Sequence, residues 1–259
     1  MRVPIYQVDA FTSTVFKGNP AAVCPLERWP DDAILQAIAE ENNLSETAFF
    51  VARGDDFDLR WFTPKCEVDL CGHATLASAF VVFEFLDRGS SRVTFHSRSG
   101  PLIVARDGEL LAMEFPTRAP ERCDPPAALV AGLEKDPIET WRSRDLMAVF
   151  ESEEDVRALA PRMELLLRLD ALGVIATAPG RDADFVSRFF APAAGVPEDP
   201  VTGSAHCTLI PYWAGRLGRP RLHARQISAR GGELFCEHRG ERVIIAGRAA
   251  LYLEGTIRV

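Results

Sequence analysis

Asp56-Phe57-Asp58-Leu59-Arg60-Trp61-Phe62-Thr63-Pro64 returns 128 residues later as Asp184-Phe185-Val186-Ser187-Arg188-Phe189-Phe190-Ala191-Pro192, with Asp, Phe, Arg, Phe and Pro at the same five places. The correspondence continues beyond each copy. Asp69-Leu70-Cys71-Gly72-His73-Ala74-Thr75 runs into an apolar stretch, Leu76 to Phe85, and Asp199-Pro200-Val201-Thr202-Gly203-Ser204-Ala205 runs into Cys207 to Trp213. Further on, Ser97-Arg98-Ser99-Gly100 and Ser228-Ala229-Arg230-Gly231 each precede two apolar runs, joined by turns at Asp107-Gly108 and Arg239-Gly240. Glycine at a turn between apolar runs marks a hairpin. Three ordered matches at a nearly constant offset, close to half the chain, point to internal duplication. Each half then reads as strand, glycine-containing loop, buried helix and hairpin.

Outward from this repeat, Asp31 to Asn42 reads as a helix that starts after Pro30 and has Ala33, Ile34, Ala37 and Ile38 on its apolar face. Ile5–Phe11, Ala48–Ala52, Asp58–Phe62 and Arg92–Phe95 read as strands. The Pro-rich stretch Pro116 to Pro126 is the expected crossing between halves. The expectation is an α+β protein of two pseudo-symmetric domains, residues 1–118 and 119–259, with the last strand able to cross back to the first. A curved sheet would wrap a central helix in each.

Composition narrows the function. The 259 residues carry 29 basic and 37 acidic side chains, a net charge of −8. That argues against nucleic-acid binding, which rests on Lys and Arg neutralising phosphates. No apolar run is long enough to span a membrane, and Met1 to Asp9 reads as a strand rather than a signal peptide, so a cytoplasmic location is expected. The six cysteines, Cys24, Cys66, Cys71, Cys123, Cys207 and Cys236, are expected to be reduced and mostly buried.

In a duplicated protein, equivalent glycine loops at helix starts present free backbone N–H groups suited to carboxylates. These loops add His73 in the first half and Asp199, Thr202 and Ser204 in the second. Glu46 stands at the mouth of an apolar strand, where desolvation is expected to raise its pKa toward the range useful for acid–base work. Cys66, Cys71 and His73 lack the four-ligand spacing of a closed zinc site, so no metal is expected. Neither a Gly-x-Gly-x-x-Gly fingerprint after a strand nor a Gly-x-Ser-x-Gly elbow occurs.

Val8-Asp9-Ala10-Phe11 followed by Phe16-x-Gly18-Asn19-Pro20-Ala21-Ala22-Val23 resembles the opening of the PhzF-like (phenazine biosynthesis) family. So do Asn43-Leu44-Ser45-Glu46-Thr47-Ala48-Phe49, Arg60-Trp61-Phe62-Thr63-Pro64, Glu67 through Thr75, Glu198 through Ala205 and Arg230-Gly231-Gly232. The resemblance implies a diaminopimelate epimerase-like fold and a cofactor-independent isomerase that moves a proton on a small carboxylate-bearing substrate. It also implies a homodimer. By motif, Glu46, His73 and Asp199 resemble the family's catalytic groups. Asn19, Gly72, Thr202, Gly203 and Ser204 resemble its substrate-binding positions. Diaminopimelate epimerase pairs two cysteines. Here Cys71 lies near the first position and the second loop offers none, which disfavours a symmetric two-thiol racemase. An epimerase of an amino or hydroxy acid, or a ligand-binding protein on the same scaffold, are the alternatives.

Overall fold

The computed structural model describes residues 1–259. The chain divides into two compact units, Met1–Glu114 with Ala246–Val259, and Phe115–Ile245.

In the first unit the strands are β1 (Arg2–Ala10), β2 (Asn19–Leu26), β3 (Glu46–Arg53), β4 (Asp56–Phe62), β5 (Glu67–Val68), β6 (Arg92–Ser97), β7 (Gly100–Asp107) and β8 (Leu110–Pro116). The C-terminal strand Ala249–Arg258 pairs antiparallel with β1, which pairs antiparallel with β2. From there β2 runs parallel to β3, β3 antiparallel to β4, β4 parallel to β6, and β6 antiparallel to β7. The short β5 lies antiparallel on the end of β4.

In the second unit the strands are β9 (Glu121–Arg122), β10 (Glu139–Arg142), β11 (Leu146–Val149), β12 (Val174–Pro179), β13 (Phe185–Ala191), β14 (Val196–Asp199), β15 (Arg221–Gln226), β16 (Gly232–Arg239) and β17 (Arg242–Gly247). The ladder repeats the first: β9, β10 and β11 antiparallel in turn, β11 parallel to β12, β12 antiparallel to β13, β13 parallel to β15, β15 antiparallel to β16. Here β14 lies on β13 as β5 lies on β4. The duplication read in the sequence is thus a duplication of strand order and strand sense.

Helix α1 (Asp32–Asn42) packs on the first sheet through Leu35, Ile38 and Ala39, against Val3, Ile5, Ala22, Cys24, Phe49 and Phe62. The expected face was one step out of phase: Ala33, Ile34 and Ala37 are exposed, because the chain enters the helix with Leu35 rather than Ile34 turned to the sheet. The helix ends at Asn43, whose φ of 50° is left-handed, a conformation asparagine tolerates at a C-cap.

Each unit is built around one buried helix. In α2 (Gly72–Val81) every residue from His73 to Ala79 is buried, as is Val81. Its far end widens into a π-turn over Val82–Leu86, so the apolar stretch beginning at Leu76 is not one regular helix. In the second unit α3 (Ala127–Leu133), α4 (Glu153–Ala158) and α5 (Met163–Leu166) are short, and Leu129, Leu133, Val156 and Leu166 pack on Ala148, Phe150, Ala176 and Phe190. The long helix α6 (Gly203–Leu217) buries Ala205 through Ile210 and Trp213. Helices apolar all round belong inside a core. Among the cysteines Cys24, Cys71, Cys207 and Cys236 are buried, Cys123 is partly so, and Cys66 is exposed; none is bridged.

Candidate active site

The loop that opens each buried helix is held by the same two devices. Arg60 on β4 donates Nε to Glu67 Oε1 at 2.7 Å and Nη2 to Oε2 at 2.9 Å; Arg188 on β13 does the same to Glu198, at 2.7 and 2.9 Å. Such forks fix both distance and angle. Each guanidinium also covers a neighbouring ring, Arg60 that of Phe62 and Arg188 that of Phe190. Beyond the forks, Ser99 Oγ donates to Asp69 O and Ser228 Oγ to Pro200 O, both at 2.8 Å. These contacts correct the sequence alignment of the loops. Glu67 matches Glu198, Asp69 matches Pro200, and Gly72 matches Gly203. Asp199 therefore corresponds to Val68, and the residues before the two helices, Cys71 and Thr202, correspond to each other. The second loop is longer by a 3-10 turn at Pro192–Ala194.

In the first unit this frame brings three groups together. Glu46 is the first residue of β3, Cys71 is the N-cap of α2, and His73 lies in its first turn. His73 Nε2 is 3.0 Å from Glu46 Oε2, and Cys71 Sγ is 3.5 Å from His73 Nδ1. The Nε2–Oε2 approach sets a carboxylate oxygen directly against a ring nitrogen, the geometry of an ion pair. Thr75 Oγ1 donates to Cys71 O at 2.6 Å and fixes the turn.

The charges of this cluster differ from the sequence expectation. Burial pushes the Glu46 carboxyl up, but the His73 charge and the contacts from His73 and Cys71 outweigh it, and the net direction is down. Burial likewise opposes the His73 imidazolium, yet the charge of Glu46 and its contact hold the pKa well above the ordinary histidine value. The Cys71 thiol is itself pushed up to about 11, by burial first and the Glu46 charge second. At neutral pH it is a thiol, and Glu46 is the anion that holds the proton on His73. The expected rise at Glu46 failed because a partner 27 residues away in sequence supplies a positive charge.

Asn19, fully buried, begins β2 opposite Ala10. It follows Gly18, whose φ of +64° and whose absent Cβ, which would lie 2.1 Å from Ala10 O, demand glycine there.

In the second unit Thr202 Oγ1 donates to Asp199 Oδ2 at 2.5 Å. Gln226 accepts from Thr202 N at 2.8 Å and donates to Asp199 O at 2.7 Å. Arg144 donates to Ser204 Oγ at 3.1 Å and pairs with the buried Asp145. Sequence reasoning missed Gln226, Arg144 and Asp145. A glutamine within a strand and an adjacent Arg-Asp carry no signal of their own. Only the partner of Arg144, Ser204, was in a recognised motif.

The sheet registers also show what stands opposite Glu46 in the repeat. Thr47 pairs with Phe62, and Val174 pairs with Phe190. The residue before Thr47 is Glu46; the residue before Val174 is Gly173. A Cβ at Gly173 would lie 2.4 Å from the Phe189 ring, so any side chain here must displace that ring.

A half-buried carboxylate against a buried imidazolium on a duplicated α+β scaffold defines a site suited to proton transfer. The sequence profile of phenazine biosynthesis-like proteins matches residues 8–255. An uncharacterised isomerase of Pseudomonas aeruginosa is 54% identical over 259 residues, covering 100% of both chains. The crystal structure of a PhzF-family phenazine biosynthesis protein from Enterococcus faecalis superposes with a TM-score of 0.98 at 49% identity, again over 100% of both chains. A hydroxyproline epimerase from Agrobacterium vitis shares the fold alone, at a TM-score of 0.64 and 11% identity over 99% of this chain and 92% of its own. The chain belongs to the phenazine biosynthesis-like (PhzF) family of isomerases. No helix is long and apolar enough to cross a membrane.

Proposed function

We propose that this isomerase moves a proton on a small carboxylate-bearing substrate by general acid–base catalysis from its own side chains, without metal or organic cofactor. The observation that carries the reading is the 3.0 Å pair of half-buried Glu46 and buried His73, of opposite charge. Glu46 as carboxylate accepts a proton from carbon, and His73 as imidazolium donates one or stabilises the developing enolate-like charge. A carboxylate whose pKa is held down is a weak base, so the substrate must bring an acidified C–H, next to a carbonyl or in a conjugated system.

Asp199, Thr202, Gly203 and Ser204 belong to the same proposal as groups that orient substrate. Thr202 is fixed by Asp199 and Gln226, and Ser204 by Arg144. The start of α6 offers backbone N–H groups for a carboxylate. Gly72 offers the same at α2, and Asn19 adds a buried amide. Thr202 standing where a second cysteine would fall speaks against a symmetric two-thiol mechanism.

The test is proton NMR in D₂O with a panel of small carboxylic acids, including dihydro-hydroxyanthranilate and common amino acids. Deuterium incorporation or double-bond movement is expected with at least one member. Glu46→Gln should slow it by about 10²–10⁴-fold, the usual contribution of a positioned acid–base group. A Glu46→Gln enzyme with full turnover would overturn the mechanism.

A further inference from the structure

The pair that moves protons has a third member the proposed reaction does not use. Glu46, Cys71 and His73 offer one oxygen, one sulfur and one nitrogen, and one ligand atom from each lies within 4.8 Å of the other two. Zinc binds such atoms at about 2.0–2.3 Å, which sets neighbouring ligand atoms of a tetrahedron roughly 3.4 Å apart. Cys71 Sγ lies 3.5 Å from His73 Nδ1, already of that size, while Glu46 Oε2 lies 3.0 Å from Nε2 on the other side of the ring, so one of these two side chains must turn about the ring edge for all three to share an ion. Both residues are anchored at the start of α2, where Thr75 ties down Cys71 O. Four protein ligands are needed only for a closed structural site. An open site takes three and leaves a fourth position to water.

We infer that Glu46, Cys71 and His73 form a three-ligand site for a thiophilic divalent cation of the zinc class, and that its binding silences the acid–base pair. On binding, bonds form from the metal to a Glu46 oxygen, the Cys71 sulfur and a His73 nitrogen, with one water completing the tetrahedron. The thiol proton of Cys71 and the extra proton of His73 pass to the buffer, and nothing is oxidised or reduced. With Glu46 a ligand and His73 stripped of its acidic proton, neither can serve a substrate, so the cation inhibits in competition with it. The binding claim stands on the cluster alone; the silencing claim rests on the proposed function.

The test uses the full chain, cleared of metal by a chelator and titrated with Co²⁺. Expected is a near-ultraviolet thiolate-to-cobalt charge-transfer band that saturates at one equivalent per chain and is displaced by Zn²⁺. Cys71→Ser should abolish the band, and Cys66→Ser, which alters the exposed thiol outside the cluster, should keep it. Absence of the band from the wild-type chain overturns the site whether or not any variant folds. So does a band lost in Cys66→Ser. A wild-type band together with proton exchange left unchanged by Glu46→Gln upholds the metal site and removes the proposed acid–base mechanism. Turnover that persists with one bound Zn²⁺ overturns the silencing.

Discussion

The turn that opens α2 and the turn that opens α6 share their fastening and differ in what they carry. Arg60 grips Glu67 as Arg188 grips Glu198, and Ser99 holds Asp69 O as Ser228 holds Pro200 O. Within that common frame the first unit places Glu46, Cys71 and His73 in mutual contact. The second has Gly173 in place of Glu46, with the Phe189 ring filling the space, Thr202 in place of Cys71 and Ser204 in place of His73. A duplicated scaffold has kept its architecture in both copies and its ionisable cluster in one. The lesson is that the frame and the chemistry are carried by different residues, so each can be broken separately.

The largest structural effect should come from the frame. Arg60→Met and Arg188→Met each remove a bidentate fork, and each should destabilise by about 1.5–3 kcal/mol in chemical denaturation, the range of hydrogen bonds to charged groups. Arg188 also donates to Val156 O at 3.2 Å and Leu159 O at 2.7 Å, whereas the further partner of Arg60 is the exposed Asp32. Arg188→Met should therefore be the more damaging by about 1 kcal/mol. Equal losses would mean that the extra bonds of the second copy contribute nothing.

Next in size is the position opposite the carboxylate. Gly173→Ala forces a methyl against the Phe189 ring and should cost about 1–3 kcal/mol of stability, as overpacking does. A neutral result would show that the second copy could have accepted a side chain there.

The smallest effect is electrostatic and depends on pH. The folded pKa of Glu46 is lowered, so its contribution is present above the unfolded value of 4.5 and is lost as pH falls through the folded value. The folded pKa of His73 is raised, so its contribution is complete below the unfolded value of 6.5 and is lost as pH rises through the folded value. Both contribute fully between 4.5 and 6.5. The stability difference between wild type and Glu46→Gln should be greatest there and shrink on either side, when thermal unfolding is followed across pH.

How much of this was legible beforehand follows from the range of each signal. The repeat, the two buried helices and the hairpins at Asp107-Gly108 and Arg239-Gly240 are written in local spacing and turn residues. The register of the second loop was not. The 3-10 turn at Pro192–Ala194 lengthens that loop, and the shared aspartates Asp69 and Asp199 invited a match that the Ser99 and Ser228 bonds overrule. Glu46 and His73 could be picked out by type and motif. The direction of the Glu46 shift could not, because it depends on a contact between a strand end and a helix start. Gln226 escaped for the same reason, since its value lies in Thr202 N and Asp199 O.

The most direct measurement is the titration of the His73 ring by NMR, in the wild-type chain and in Glu46→Gln. A buried imidazole held by its carboxylate should titrate well above 6.5 in the wild type and fall substantially in the variant. A His73 that titrates at or below 6.5 in the wild type, or is unmoved by Glu46→Gln, would contradict the charged pair on which the account of this site rests.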